Sequence, residues 1–229
     1  MSGAASEGIV DWVRDRAAEH GWEADRRSFL RELSVADCVS LVALLFGWAA
    51  ALLMASGQPN WGLLAMLGAF AFDKLDGAVA RALDVTSDLG LQVDSYIDIF
   101  AYLVPAALLY HLTMAPNVYA GLVVGFVVLA FGGLRLIRHS TEGFGVDDGV
   151  AFYRGLTVVH ANAVVVANYF LVSFVPAWNG WLAAATILPM GPAMTANYRS
   201  YKTDDSHLLV GVLATVAAGL CLILIFGVR

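Results

Sequence analysis

The chain has 229 residues, 59% of them hydrophobic and only 14% charged, with a formal net charge of −6. A mean hydropathy of +0.72 points to lipid as its solvent and excludes an ordinary water-soluble globule. The negative balance excludes a nucleic-acid surface, which needs concentrated basic charge. The two cysteines, Cys38 and Cys221, exclude a disulfide framework and a CxxC metal site.

In chain order, the first residues read as no signal peptide, lacking a basic start followed by an apolar core. Residues 1–34 form a separate arm in which acid and base alternate. Ile9, Trp12 and Val13 fall at helical spacing, which predicts an amphipathic helix on the cytoplasmic leaflet. A solvated, salt-bridged helix is the alternative. Residues 35–229 then hold seven apolar stretches: Ala36–Ala55, Trp61–Leu83, Leu91–Thr113, Val118–Ile137, Phe152–Phe174, Trp181–Thr195 and Leu208–Val228. A membrane-crossing helix needs about 20 such residues, and the sixth stretch is short. Pro189-Met190-Gly191-Pro192 predicts a break or kink within it.

Lipid offers the backbone no hydrogen bonds and no barrel alternation is visible. The predicted fold is therefore an all-α integral membrane protein, a bundle of six to seven transmembrane helices behind the N-terminal arm. With a cytoplasmic N-terminus, of the 13 Lys and Arg residues only Arg229 falls outside. The positive-inside rule thus predicts a multi-pass cell-membrane protein with its charged loops in the cytoplasm.

Six aspartates crowd into Phe72–Phe100 of this oily chain. A charge at the centre of a membrane helix costs about 2.5–3.5 kcal/mol on insertion scales, so such residues need a function. Asp73, Asp76, Gly77 and Arg81 recur on one face of the second stretch, about 18–22 Å in from Trp61 at the first two positions. Asp94 and Asp98 share a face of the third. Packed antiparallel, the two helices present one carboxylate pair to the other. Four carboxylates in a low dielectric repel one another unless hard divalent cations neutralise them, three holding metal and one left as a base. Asp84 and Asp88 lie in the connecting turn and read as capping or solvated residues.

The positions Asp73, Asp76, Gly77, Ala80, Arg81, Gly90, Asp94 and Asp98 spell D-x2-D-G-x2-A-R-x8-G-x3-D-x3-D. This resembles the signature of the CDP-alcohol phosphotransferases at every fixed position. The resemblance implies transfer of a phosphatidyl-type group from a CDP-linked lipid to the hydroxyl of a small alcohol, with release of CMP. It implies that Asp73, Asp76 and Asp94 bind magnesium or manganese, and that Asp98, beside the metal, is the base. Asp73, Gly77 and Arg81 would face the CDP-lipid, and Gly90 would permit close helix approach. Asp37 and Ser40 fall where the family has an Asn-x-x-Thr pattern; Ser40 bonds either cytidine or its own helix carbonyl. A homodimer is implied by the resemblance alone.

The stretches Gly132–Phe144, Phe152–Leu156 and Val93–Ala106 resemble segments of phosphatidylserine synthases, and the divergent, acidic sequence resembles an archaetidylserine branch. Serine is then the implied acceptor, with a phosphorylated acceptor, glycerol 3-phosphate or inositol 1-phosphate, as the alternative. His139, Ser140, Thr157 and the early Pro105 depart from the pattern. Arg135 and Arg138 read either as snorkelling arginines or as a basic acceptor pocket, with Arg154 as a weaker candidate. His160 and Asn162 read as helix–helix glue, although Asn162 or Tyr153 also suits the border of an acceptor site. A transporter with intramembrane carboxylates is the competing class, but no inverted repeat joins the two halves.

Overall fold

The structure is a computed structural model that describes residues 33–83, 88–143, 145–147, 150–201 and 204–227. The predicted N-terminal amphipathic helix and the turn residue Asp84 lie outside the described residues. The first helix, α1 (Val35–Ala55), starts where Ser34 and Asp37 cap each other. The Ser34 hydroxyl accepts the Asp37 amide at 3.1 Å, and the Asp37 carboxylate accepts the Ser34 amide at 2.6 Å. Asp37 is therefore occupied by the helix start.

A short turn leads into α2 (Pro59–Leu83), which packs against α1 along its length. Ala43 and Ala50 of α1 and Ala69 of α2 are fully buried, as expected where lipid gives no hydrophobic drive and helices must approach closely. Phe46 and Phe72 stack across this pair at 5.2 Å.

The third predicted stretch is one continuous run with a defect in it. It comprises α3 (Asp88–Asp98), a π-helical turn (Ile99–Leu103) and α4 (Val104–Thr113). The Val104 amide bonds the Ile99 carbonyl, five residues back. Pro105 follows at once. In a regular helix its ring would clash with the carbonyl of Ala101 and it could donate no bond there, so the wider turn accommodates it. A Cβ placed on Gly47 of α1 would lie 2.7 Å from both the Phe100 carbonyl oxygen and Ala101 Cα, a backbone contact that cannot give way.

Asn117 caps α5 (Val118–Glu142), five residues longer than the predicted span. A small antiparallel sheet follows, in the order β1 (Gly145–Asp147), β2 (Val150–Arg154), β3 (Arg199–Tyr201). An Asp147–Arg199 ion pair and a Tyr201 hydroxyl bond to Asp147 tie its outer strands. This sheet corrects two expectations: the helical fold carries a β element, and Phe152–Arg154 is strand, not the start of the fifth span. The reason is local. Gly155, at φ 74°, turns the chain out of β2, and Thr157 then caps α6 (Val158–Phe174).

The predicted sixth span is broken as its prolines required, into α7 (Gly180–Ile187) and α8 (Met190–Thr195). Asn168 is the polar glue here. Its side chain accepts from Trp178 Nε1 and Thr186 Oγ1, tying α6 to the following loop and to α7. Arg138 near the end of α5 bonds the chain after α8 through the carbonyls of Thr195 and Ala196 and the Asn197 side chain, and also pairs with Glu142. The last helix, α9 (Asp204–Phe226), packs on α2 and touches α6.

Four described helical runs are long and apolar enough to cross a membrane: Val35–Ala55, Gly90–Thr113, Val118–Glu142 and Leu209–Phe226. The molecule is an all-α membrane protein with one small sheet.

The Gly47 contact yields a test. Gly47→Val must displace backbone at the π-helical turn, and overpacking of this kind costs about 1–3 kcal/mol. Thermal unfolding in detergent should show a clear fall in Tm. Gly211→Val is the control, since a Cβ there meets nothing within 4 Å.

Candidate active site

The site forms where α2 meets α3. Asp73 and Asp76, three residues apart, face Asp94, and each offers a carboxylate oxygen within 4.8 Å of the others. At that separation each unneutralised pair repels by about 3 kcal/mol at an effective dielectric of about 20. Lys74 offsets part of this: its ammonium bonds Asp73 Oδ2 at 2.7 Å and lies 5.3 Å over the Phe70 ring. One ammonium does not balance three carboxylates. The donor set, hard anionic oxygens converging on one point, fits magnesium, manganese or calcium.

Ser40 buttresses the group from α1. Its hydroxyl lies 2.5 Å from Asp76 Oδ2 and 3.1 Å from its own helix's Ala36 carbonyl. A hydroxyl carries one proton, so the two acceptors share it. Asp76 is buried at 7% exposure, and the serine fixes the orientation of a carboxylate aimed at its neighbours. Of the two roles the sequence offered Ser40, the bond to its own helix carbonyl is formed, and it is joined by Asp76, a partner that sequence reading missed.

Asp98 stands one turn beyond Asp94 and outside the three-carboxylate group. Its Oδ1 is sealed from solvent and has no hydrogen-bond partner. The charges acting on it are those of Asp73 and Asp94, opposed by Lys74 and Arg135. On the exposed side of α2, Arg81 folds back along its helix. A Cβ on Gly77 would sit 3.3 Å from Arg81 Nη1, so glycine there leaves the guanidinium its path. Gly90 lies in the first turn of α3, ahead of Asp94 and Asp98.

The arginines of α5 divide sharply. Arg138, bound to three backbone or amide oxygens and to Glu142, is committed to the architecture. Arg135 is 6% exposed, yet no carboxylate of the described residues lies within ion-pair distance of it. Its guanidinium sits 5.6 Å from the Tyr153 ring centre and acts electrostatically on Asp94, Asp98, His139 and His160. A pocket lined by Arg135, Arg138, His139, Glu142, Gly143 and Arg154 opens beside it. Arg154 reaches Glu142 at 3.3 Å, an exposed pair of small energetic weight.

Asn162, read from sequence as glue, has neither amide atom satisfied. The gluing role falls to Asn168. Sequence reading also missed Tyr102, whose buried hydroxyl closes no hydrogen bond, and the bond from Lys74 to Asp73. The spacing of Tyr102 from Asp98, four residues, was the available sign.

Comparisons with known proteins agree with this geometry. The family model for CDP-alcohol phosphatidyltransferase matches residues 33–217. The archaetidylserine synthase of Methanothermobacter thermautotrophicus is 29% identical over 145 residues, covering 62% of this chain and 60% of that protein. The CDP-diacylglycerol–serine O-phosphatidyltransferase of Mycobacterium bovis is 31% identical over 112 residues, 49% of this chain and 36% of its own. The enzyme of the same name from Helicobacter pylori strain 26695 is 26% identical over 157 residues, with 66% and 65% covered. The chain thus spans between about a third and two thirds of the length of these relatives. With the signature residues gathered at one helix crossing and the family model matched over most of its length, the chain belongs to the CDP-alcohol phosphatidyltransferase family.

Proposed function

We propose that the protein transfers a phosphatidyl-type or archaetidyl group from a CDP-linked lipid to the hydroxyl of serine, releasing CMP. The observation that carries this reading is the Asp73–Asp76–Asp94 cluster beside the buried, unpartnered Asp98 oxygen. The names of the serine-using relatives support the acceptor.

Asp73, Asp76 and Asp94 would hold a divalent cation, which would supply positive charge against the donor's pyrophosphate. Arg81 offers a planar fork to the same phosphates, and Gly77 lets the nucleotide reach the helix backbone. The acceptor oxygen attacks the lipid-side phosphorus and forms the new P–O bond. The bond from that phosphorus to CMP breaks, and its electron pair leaves on the CMP phosphate. The acceptor's proton passes to Asp98. Arg135, buried and without an ion-pair partner among the described residues, attracts the acceptor's carboxylate to the pocket it lines. Arg138 holds the pocket wall in place. The basic lining of Arg135, Arg138 and Arg154 also favours a second reading, a phosphorylated acceptor.

The same proposal places the protein as a multi-pass chain in the cell membrane with this site on the cytoplasmic side, supported by the distribution of Lys and Arg. It includes a homodimer. Helix α9 offers apolar surface for such contact, with only 11% of its span buried inside one chain.

Three experiments test these roles. Asp98→Asn should retain CDP-lipid and metal binding while CMP release falls by about 100-fold or more, the scale of lost general-base catalysis; turnover close to wild type removes Asp98 from the base role. Supplied in turn with serine, glycerol 3-phosphate, inositol 1-phosphate and glycerol, the purified protein should release CMP with serine. Release with phosphorylated acceptors alone would replace serine and make the arginines phosphate ligands. Finally, Arg135→Gln should raise the acceptor KM by about 10-fold or more at unchanged Tm, the worth of a charge-assisted bond. Arg138→Gln should instead lower Tm.

A further inference from the structure

Tyr102 is a buried polar group whose hydroxyl closes no hydrogen bond in the structure. It lies on the π-helical turn at 3% exposure. Leaving such a group unsatisfied costs about 1–3 kcal/mol, a cost that phenylalanine would avoid. Its neighbours on the turn, Phe100, Ala101 and Leu103, are all apolar. The ring is held edge-on against Phe70 at 6.5 Å, and Phe70 in turn carries Lys74. The hydroxyl therefore does not swing freely. The Asp73 carboxylate acts on it most strongly among the charges and lies near enough to compete for the phenolic proton, with Asp98 and Asp94 next, so the hydroxyl faces the carboxylate site.

The second unsatisfied atom of this neighbourhood is Asp98 Oδ1. The two share an electrostatic environment but do not bond each other. One alcohol group satisfies both, because a hydroxyl has one proton to give and lone pairs to receive. We propose that Tyr102 binds the attacking oxygen of the acceptor: its phenol donates to that oxygen while Asp98 takes the proton from it. The proposal rests on Asp98 being the base.

This arrangement also selects the reacting atom. An alcohol oxygen has two lone pairs, one for the Tyr102 proton and one for phosphorus. A neutral amine has a single lone pair and cannot serve both, and an ammonium has none. An acceptor carrying both groups is thereby directed to react through oxygen. The π-helical turn sets the geometry, since its five-residue closure between Asp98 and Pro105 determines where Tyr102 points relative to the base.

Tyr102→Phe in the full chain tests the proposal, with wild type and Asp98→Asn assayed alongside in detergent with CDP-lipid, manganese and serine. The expected result is a fall of about 10-fold or more in kcat/KM for serine, the loss of one hydrogen bond at a reacting atom. The Kd for CDP-lipid and the manganese dependence should stay within about two-fold of wild type, and Tm should hold or rise as an orphan hydroxyl is removed. Unchanged kcat/KM overturns the proposal. So does weakened CDP-lipid or manganese binding, which would assign the phenol to the metal-facing carboxylates, and so does a lower Tm, which would make it structural. Wild type that releases no CMP with any alcohol overturns the functional reading and this proposal together. An active wild type with full activity in Tyr102→Phe overturns this proposal alone.

Discussion

Repulsion among carboxylates in a poorly polarisable environment is the constraint on which this molecule turns. Asp73, Asp76 and Asp94 bring their oxygens within 4.8 Å of one another, with the Lys74 ammonium 2.7 Å from Asp73. Such a group is stable only if helices hold it rigidly and a cation is available to share it. The surrounding packing supplies the rigidity. Alanines line the α1–α2 seam, Ser40 pins Asp76 across it, and Gly47 lets α1 press on the backbone of the turn after Asp98. Small residues and interhelical hydrogen bonds do this work because lipid removes the hydrophobic drive that assembles soluble bundles.

Polar groups within the bundle fall into two populations. Asp37, Asn168 and Arg138 have their hydrogen bonds satisfied by the protein and define its shape. Asp98 Oδ1, the Tyr102 hydroxyl and the Asn162 amide are buried and unsatisfied, and Arg135 is buried without a carboxylate partner. The chain retains these groups at a cost in folding free energy. Arg135 and Arg138, three residues apart on one helix, show the division at its clearest: Arg138 is bonded to the chain around it, while Arg135 has no carboxylate partner among the described residues.

Much of this was legible beforehand. The helical membrane fold, the break at Pro189, the two aspartate-bearing faces and the family signature follow from local composition and spacing, and four of the predicted spans are long and apolar enough to cross a membrane among the described residues. The small sheet was not, because Val150–Arg154 is as apolar and aromatic as a helix end, and strand pairing depends on residues about 50 positions away at β3. Ser40 offered a bond to its own helix carbonyl or to a nucleotide, and the structure adds Asp76 to the first of these. Asn162 and Asn168 look alike in sequence, six residues apart, yet the second ties helices together and the first ties nothing.

By itself the sequence determined the solvent, the helix faces and the chemistry those faces require, since an α-helix groups residues three and four apart whatever surrounds it. Only the tertiary structure decided which oxygens meet, which cations are already engaged and which buried groups are left open. Those outcomes depend on contacts between distant positions, 36 residues apart for Ser40 and Asp76 and 59 for Arg138 and Asn197. Helical periodicity says nothing about partners at that range.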